Sequence, residues 1–108
     1  MDNLTKEQQR LLVSMYKEML SRQPALSLAD ARKFEDSDIV RDLFCPDKSS
    51  DDVADLCWAL HSKGYLKCEP GDDLANDISI TDDAIIYMEN RFKNGFKEIA
   101  SFLSSLIP

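Results

Sequence analysis

Ser49-Ser50-Asp51-Asp52-Val53-Ala54-Asp55-Leu56-Cys57-Trp58-Ala59-Leu60-His61-Ser62-Lys63-Gly64, followed by Tyr65-Leu66-Lys67-Cys68-Glu69, Pro70-Gly71-Asp72-Asp73 and Leu74-Ala75-Asn76-Asp77-Ile78-Ser79-Ile80-Thr81-Asp82-Asp83, is the stretch that decides the fold. It opens with a serine N-cap and aspartates in a first helical turn. Val53, Leu56, Cys57 and Leu60 then recur at helical spacing. Gly64 stands where a glycine ends a helix. Tyr65 to Glu69 alternates as a strand, Pro70 to Asp73 is turn chemistry, and Asp77 to Ile80 is the return strand. Thr81, with Asp82 and Asp83 behind it, starts a new helix.

Charge is as informative as pattern. Residues 50–83 hold nine acids against two bases, Lys63 and Lys67, so this stretch carries −7, the net charge of the whole protein. Outside it, eleven acids balance eleven bases. A chain with this balance is soluble and binds nonspecifically neither to nucleic acid nor to anionic membrane.

Working outward, Thr5 and Gln8 have the spacing of a capping box. Leu11, Leu12, Met15, Tyr16, Met19 and Leu20 form one helical face, which Gln23-Pro24 ends. Residues 25–35 read equally as a short strand at Leu26-Ser27-Leu28 or as a helical turn at 29–34. Ile39, Val40, Leu43 and Phe44 mark a second helix from Ser37 to Phe44, closed by Pro46. The last helix is expected from 82 to 106, roughly 37 Å long, with Gly95 as a kink point. Its stripe is Ile85, Met88, Phe92, Phe96, Ile99, Leu103 and Leu106.

The order helix-helix-helix-strand-strand-helix resembles the winged helix-turn-helix superfamily of small bacterial and phage regulators. Leu60-His61-Ser62-Lys63-Gly64-Tyr65-Leu66 and Ile78-Ser79-Ile80-Thr81-Asp82-Asp83-Ala84 are similar to the segments flanking the wing in that superfamily, with Ala84 where many members place glycine. The resemblance covers residues 5–92. It implies a mainly α fold with a small β-hairpin wing (α+β), one domain over residues 1–108, and an extended C-terminal helix beyond a core at 5–92.

It also implies that the third helix reads base edges and that the wing touches phosphate. By position the base-reading residues are Ser49, Ser50, Asp51, Asp52 and Asp55, and the wing tip is Gly71, Asp72, Asp73 and Asn76. Lysine and arginine supply most DNA affinity, and here carboxylates stand in their places. The expectation is therefore a protein-protein interaction or regulatory module. Its acidic face of Asp51, Asp52, Asp55, Asp72, Asp73 and Asp77 meets a basic protein partner.

A dimer is expected through Phe92, Phe96, Ile99, Phe102, Leu103 and Leu106, because winged-helix regulators often pair through terminal helices. The alternative is that this helix folds back on its own core. A DNA-binding regulator using Arg32, Lys33, Arg41 and Lys48 is a further alternative, and a DNA-mimic inhibitor a third.

Trp58 reads either as core or as a partner contact. His61 is the sole histidine, and no nucleophile-base set, phosphate loop or metalloprotease motif appears. Neither an enzyme nor a cofactor is expected. Cys45, Cys57 and Cys68 are odd in number and irregular in spacing, so they read as reduced small hydrophobes. Cys57 and His61 share a helical face, but without CxxC or a second histidine no metal is expected. The longest apolar patch, Ile99 to Ile107, is too short to span a membrane. The N-terminus lacks signal-peptide order, so a cytoplasmic location is expected.

Overall fold

A computed structural model describes residues 3–106, so Ile107 at the end of the apolar patch lies outside the described residues. Side-chain caps define where most helices begin. Thr5 and Gln8 form a reciprocal capping box at the start of α1 (Lys6–Arg22). Ser27 caps α2 (Leu28–Ala31), Asp36 caps α3 (Ser37–Phe44), Ser49 caps α4 (Ser50–Ser62) and Thr81 caps α5 (Asp82–Arg91). Each accepts a backbone N–H that the first turn would leave unpaired. Among the described helices only α6 (Phe96–Ser105) starts without such a cap, at Gly95.

The ambiguous segment 25–35 divides into α2 and a short strand, β1 (Lys33–Glu35). Its one inward residue, Phe34, is buried. The Arg22 guanidinium lies 4.4 Å from the Phe34 ring centre and donates to the carbonyls of Ala31 and Lys33. β2 (Leu66–Gly71) and β3 (Leu74–Ile80) complete an antiparallel sheet of order β1-β3-β2. The fold is α+β, mostly helical with a small three-stranded sheet.

The hairpin is longer than alternation suggests. Its ladder runs to Gly71↔Leu74, leaving only Asp72 and Asp73 as the turn. Both take left-handed backbone, φ 53° and 60°, as a type I′ hairpin turn requires. A register shift falls between Lys67↔Ser79 and Glu69↔Asn76, where Asp77 sits at φ 48°. This bulge takes up an extra residue and lets the ladder continue past the point where alternation fails.

α4 ends in a Schellman motif: Tyr65 N–H donates to Leu60 O and Gly64 N–H to His61 O, with Gly64 at φ 85°. Thr81 then ties the far end of the hairpin back to this corner, its hydroxyl donating to Gly64 O at 2.7 Å and its N–H to Tyr65 O. The hairpin is thereby fixed against α4.

α1 lies at the centre, with α3, α4, α5 and α6 packed around it. Leu12, Val13, Met15, Val40, Val53, Leu60, Ile78, Ile80 and Met88 are among the core side chains removed from solvent.

The single helix expected over 82–106 is corrected. α5 stops at Arg91, and Lys93-Asn94-Gly95 turns the chain, with Gly95 at φ 76°. The reason is burial. Phe92 and Ile99 both enter the common core, and the turn at Gly95 lets α6 pack back against α1. Phe92 meets Phe102 edge to face at 5.4 Å, and Arg91 covers both rings. Of the expected dimer residues, Phe92 and Ile99 are therefore buried within the chain. Phe102, Leu103 and Leu106 are half-buried, and Phe96 is exposed. Ile99, beyond residue 92, thus belongs to the common core.

Candidate acidic cleft

Capping and register place one face of α4 opposite the tip of the hairpin. Val53, Cys57 and Leu60 turn inward. Asp51, Asp55 and Trp58, spaced four and three apart, then share the outer side. Across from them stand Pro70, Gly71, Asp72, Asp73 and Leu74. Together with Ala54 these residues line an open cleft of about 920 Å³. Asn76 steadies the hairpin wall, its side-chain amide donating to Gly71 O at 2.8 Å.

The described residues lining the cleft include four carboxylates and no cation. Ala54, Pro70 and Leu74 add apolar surface. Trp58 is half-buried, packed edge-on against His61 at 5.2 Å between ring centres. It is thus both a packing residue and a wall of the cleft. A phosphate held about 6 Å from one of these carboxylates is repelled by roughly 0.7–3 kcal/mol before salt screening. A guanidinium or ammonium gains by the same arithmetic, and an indole beside it adds a cation-π contact.

Four of the six expected acidic-face residues converge here: Asp51, Asp55, Asp72 and Asp73. Asp52 borders a different surface, with Glu7, Gln8 and Lys48. Asp77, turned by its bulge, sits with Lys33, Glu35, Lys67 and Glu69 on the outer side of the sheet. Ser49 is committed to capping, and Ser50 donates to Asp38 at 2.5 Å. The Ser50 hydroxyl donor is thereby spent within the fold.

The cations proposed for DNA contact are largely occupied. Arg32 donates to Ile80 O at 2.9 Å and pairs with Asp82. Arg41 donates to Lys48 O and Pro46 O and lies near Asp42. Lys48 pairs with Glu7 at 2.8 Å, a hydrogen bond that raises its pKa. Lys33 alone of the four has an exposed side chain without such a tie among the described residues. These arginines brace loops and helix ends, which spacing along the chain does not reveal.

His61 and the two buried cysteines are tied into the fold. His61 Nδ1 accepts the Cys68 N–H and lies 3.2 Å from Leu66 O. Cys57 and Cys68 are buried, the Cys68 thiol pointing to Cys57 O. Burial pushes the Cys57 thiol up to about 12 and that of Cys68 to about 11. Both stay protonated at neutral pH and are poor nucleophiles. Among the described residues no group of three or more His, Cys, Asp or Glu is placed to hold a metal ion. No helix among them is long and apolar enough to cross a membrane.

Sequence reasoning missed Ala54, Pro70 and Leu74 as cleft surface. Leu74 fell in a presumed loop, and only the two-residue turn brings it beside α4. Comparison with family models, curated proteins and solved structures returns no match.

Proposed function

We propose that this chain is a protein-protein interaction module of winged-helix type, with a regulatory role, whose cleft between α4 and the hairpin receives a basic segment of a partner protein. The observation that carries the reading is the convergence of Asp51, Asp55, Asp72 and Asp73 from two separate elements onto one cleft beside Trp58. The helix pair α3–α4 followed by a hairpin braced on α4 supports the winged-helix part. In this reading the chain is not an enzyme, needs no cofactor and does not dock duplex DNA through α4.

A short peptide rich in arginine and lysine tests it, titrated while Trp58 fluorescence is followed. The emission of Trp58, the only tryptophan, shifts on binding. Replacing all four carboxylates with asparagine weakens binding by about fourfold to several hundredfold, since exposed ion pairs contribute about 0.2–1 kcal/mol each. Equal binding by both proteins refutes the reading.

A further inference from the structure

His61 stands where the two walls of the cleft are joined. It lies in the last turn of α4, one turn after Trp58, and its ring meets the indole edge-on at 5.2 Å. It also touches β2, which the order β1-β3-β2 leaves at the edge of the sheet. Tyr65 O accepts the Thr81 N–H, and alternation then turns the backbone groups of Leu66 and Cys68 away from β3. His61 Nδ1 lies 3.2 Å from both Leu66 O and Cys68 N. Pro70, next in that alternation, has no N–H to offer. The imidazole thus covers part of an otherwise open strand edge.

One ring nitrogen between a donor and an acceptor can serve only one of them. A neutral ring with its proton on Nε2 accepts the Cys68 N–H and satisfies it; Cys68 itself is buried. An imidazolium carries a proton on each nitrogen. Its Nδ1 donates to Leu66 O and leaves the Cys68 N–H without that acceptor. The groups around the ring do not hold it in either state. Cys57 lies one turn back on α4 and Cys68 on β2, and both thiols stay protonated. Lys67 and Glu69 line the outer side of the sheet, and Lys63 is tied to Asn3 O and Gln8. Among the described residues no ion pair involves His61. The residue is exposed, so protons reach it from solvent.

We propose that His61 is a proton-operated switch on the cleft. Neutral, it pins β2 to α4 and leaves Trp58 to a partner's cation. Protonated, it releases the Cys68 N–H and sets a positive charge against the indole, so a basic segment binds less well. Histidine is the side chain that ordinarily changes charge between about pH 5 and 8. The effect on binding rests on the cleft reading; the exchange of hydrogen bonds does not.

Nuclear magnetic resonance of the labelled full chain tests the exchange, taken from about pH 8 to about pH 5.5, above the ordinary carboxylate range. The His61 ring signals and the Cys68 amide should move with one midpoint, and Trp58 emission should change in the same step. His61→Asn keeps an acceptor near the Nδ1 position but cannot take up a proton there. In that variant the Cys68 amide and Trp58 emission should stay level across the range. An arginine-rich peptide should bind the wild type at least about threefold more weakly at the lower pH, the scale of a like charge added within a screening length of about 8 Å. Its affinity for His61→Asn should change less than about twofold. A Cys68 amide that ignores the His61 titration overturns the switch, and the wild type alone decides this if the variant does not fold. Peptide binding with the same pH dependence in both proteins overturns the regulatory role. Absence of peptide binding at either pH sinks the cleft reading and the regulation with it, while the Cys68 amide still decides the exchange.

Discussion

Ser37 offers the sharpest test of how the hairpin is held. It is the buried polar residue of the core, fully removed from solvent, and its hydroxyl accepts the Ala75 N–H at 3.2 Å. β1 ends at Glu35, so the far half of β3 lacks a strand on that side. The Ser37 side chain takes the place of the missing backbone acceptor. Ser37→Ala leaves a buried N–H unpaired, which costs about 1–3 kcal/mol. At roughly 4–8 °C per kcal/mol for a small domain, the melting temperature should fall by about 4–24 °C. Thermal unfolding followed at 222 nm reads this directly. Ser62→Ala is the control: its hydroxyl donates to Trp58 O at the surface, and its loss should stay within about 0.5 kcal/mol. If Ser37→Ala melts within about 2 °C of wild type, the argument that this hydroxyl completes the sheet is wrong.

Other consequences are equally direct. Burial raises the Cys57 and Cys68 thiols to about 12 and 11, while in the unfolded chain they ionise near their ordinary values. The folded state therefore retains protons that the unfolded state releases. Their contribution is intact below about pH 8.5 and fades as pH climbs toward 11, by about 2–3 kcal/mol near pH 10. Urea unfolding at pH 8 and pH 10 should show that loss, and Cys57→Ala with Cys68→Ala should flatten it. Thiol titration of the folded protein should modify the half-exposed Cys45 before the buried pair, all three reacting once unfolded. Gly64→Ala meets no steric obstacle, yet φ 85° disfavours any Cβ, so chemical denaturation should show a loss of about 1–2 kcal/mol. Asp73→Gly should relieve left-handed strain in the hairpin turn and raise stability by about 0.5 kcal/mol while weakening peptide binding at the cleft, two effects that calorimetry and fluorescence separate.

Local chemistry made much of the fold legible. Thr5, Ser49 and Thr81 announce helix starts, and Gly64 announces a stop, because unpaired backbone groups and left-handed backbone demand particular residues. The hairpin's true length was hidden, since Asp77 breaks the alternation and a bulge is visible only in pairing. Phe92 to Ile99 read as one helical stripe, because spacing cannot tell a straight rod from two short helices that share a core. The acidic character of α4 and the turn was plain in the composition. Which acids converge was not: Asp52 and Asp77 differ from Asp51 and Asp73 only in direction, and direction depends on the tertiary fold. The arginines' bracing contacts were hidden for a related reason, their carbonyl partners lying as far as 48 residues away, as Ile80 does from Arg32.

The central claim is that the face formed by α4 and the hairpin attracts cations and repels polyanions. Amide and indole chemical shifts of isotopically labelled protein, recorded while a basic peptide and then duplex DNA are added, test it most directly. Peptide should move the Trp58 indole and the amides of Asp51, Asp55 and Asp72 to Leu74, and duplex should leave them in place. Saturable movement of those same signals by duplex DNA would contradict the account.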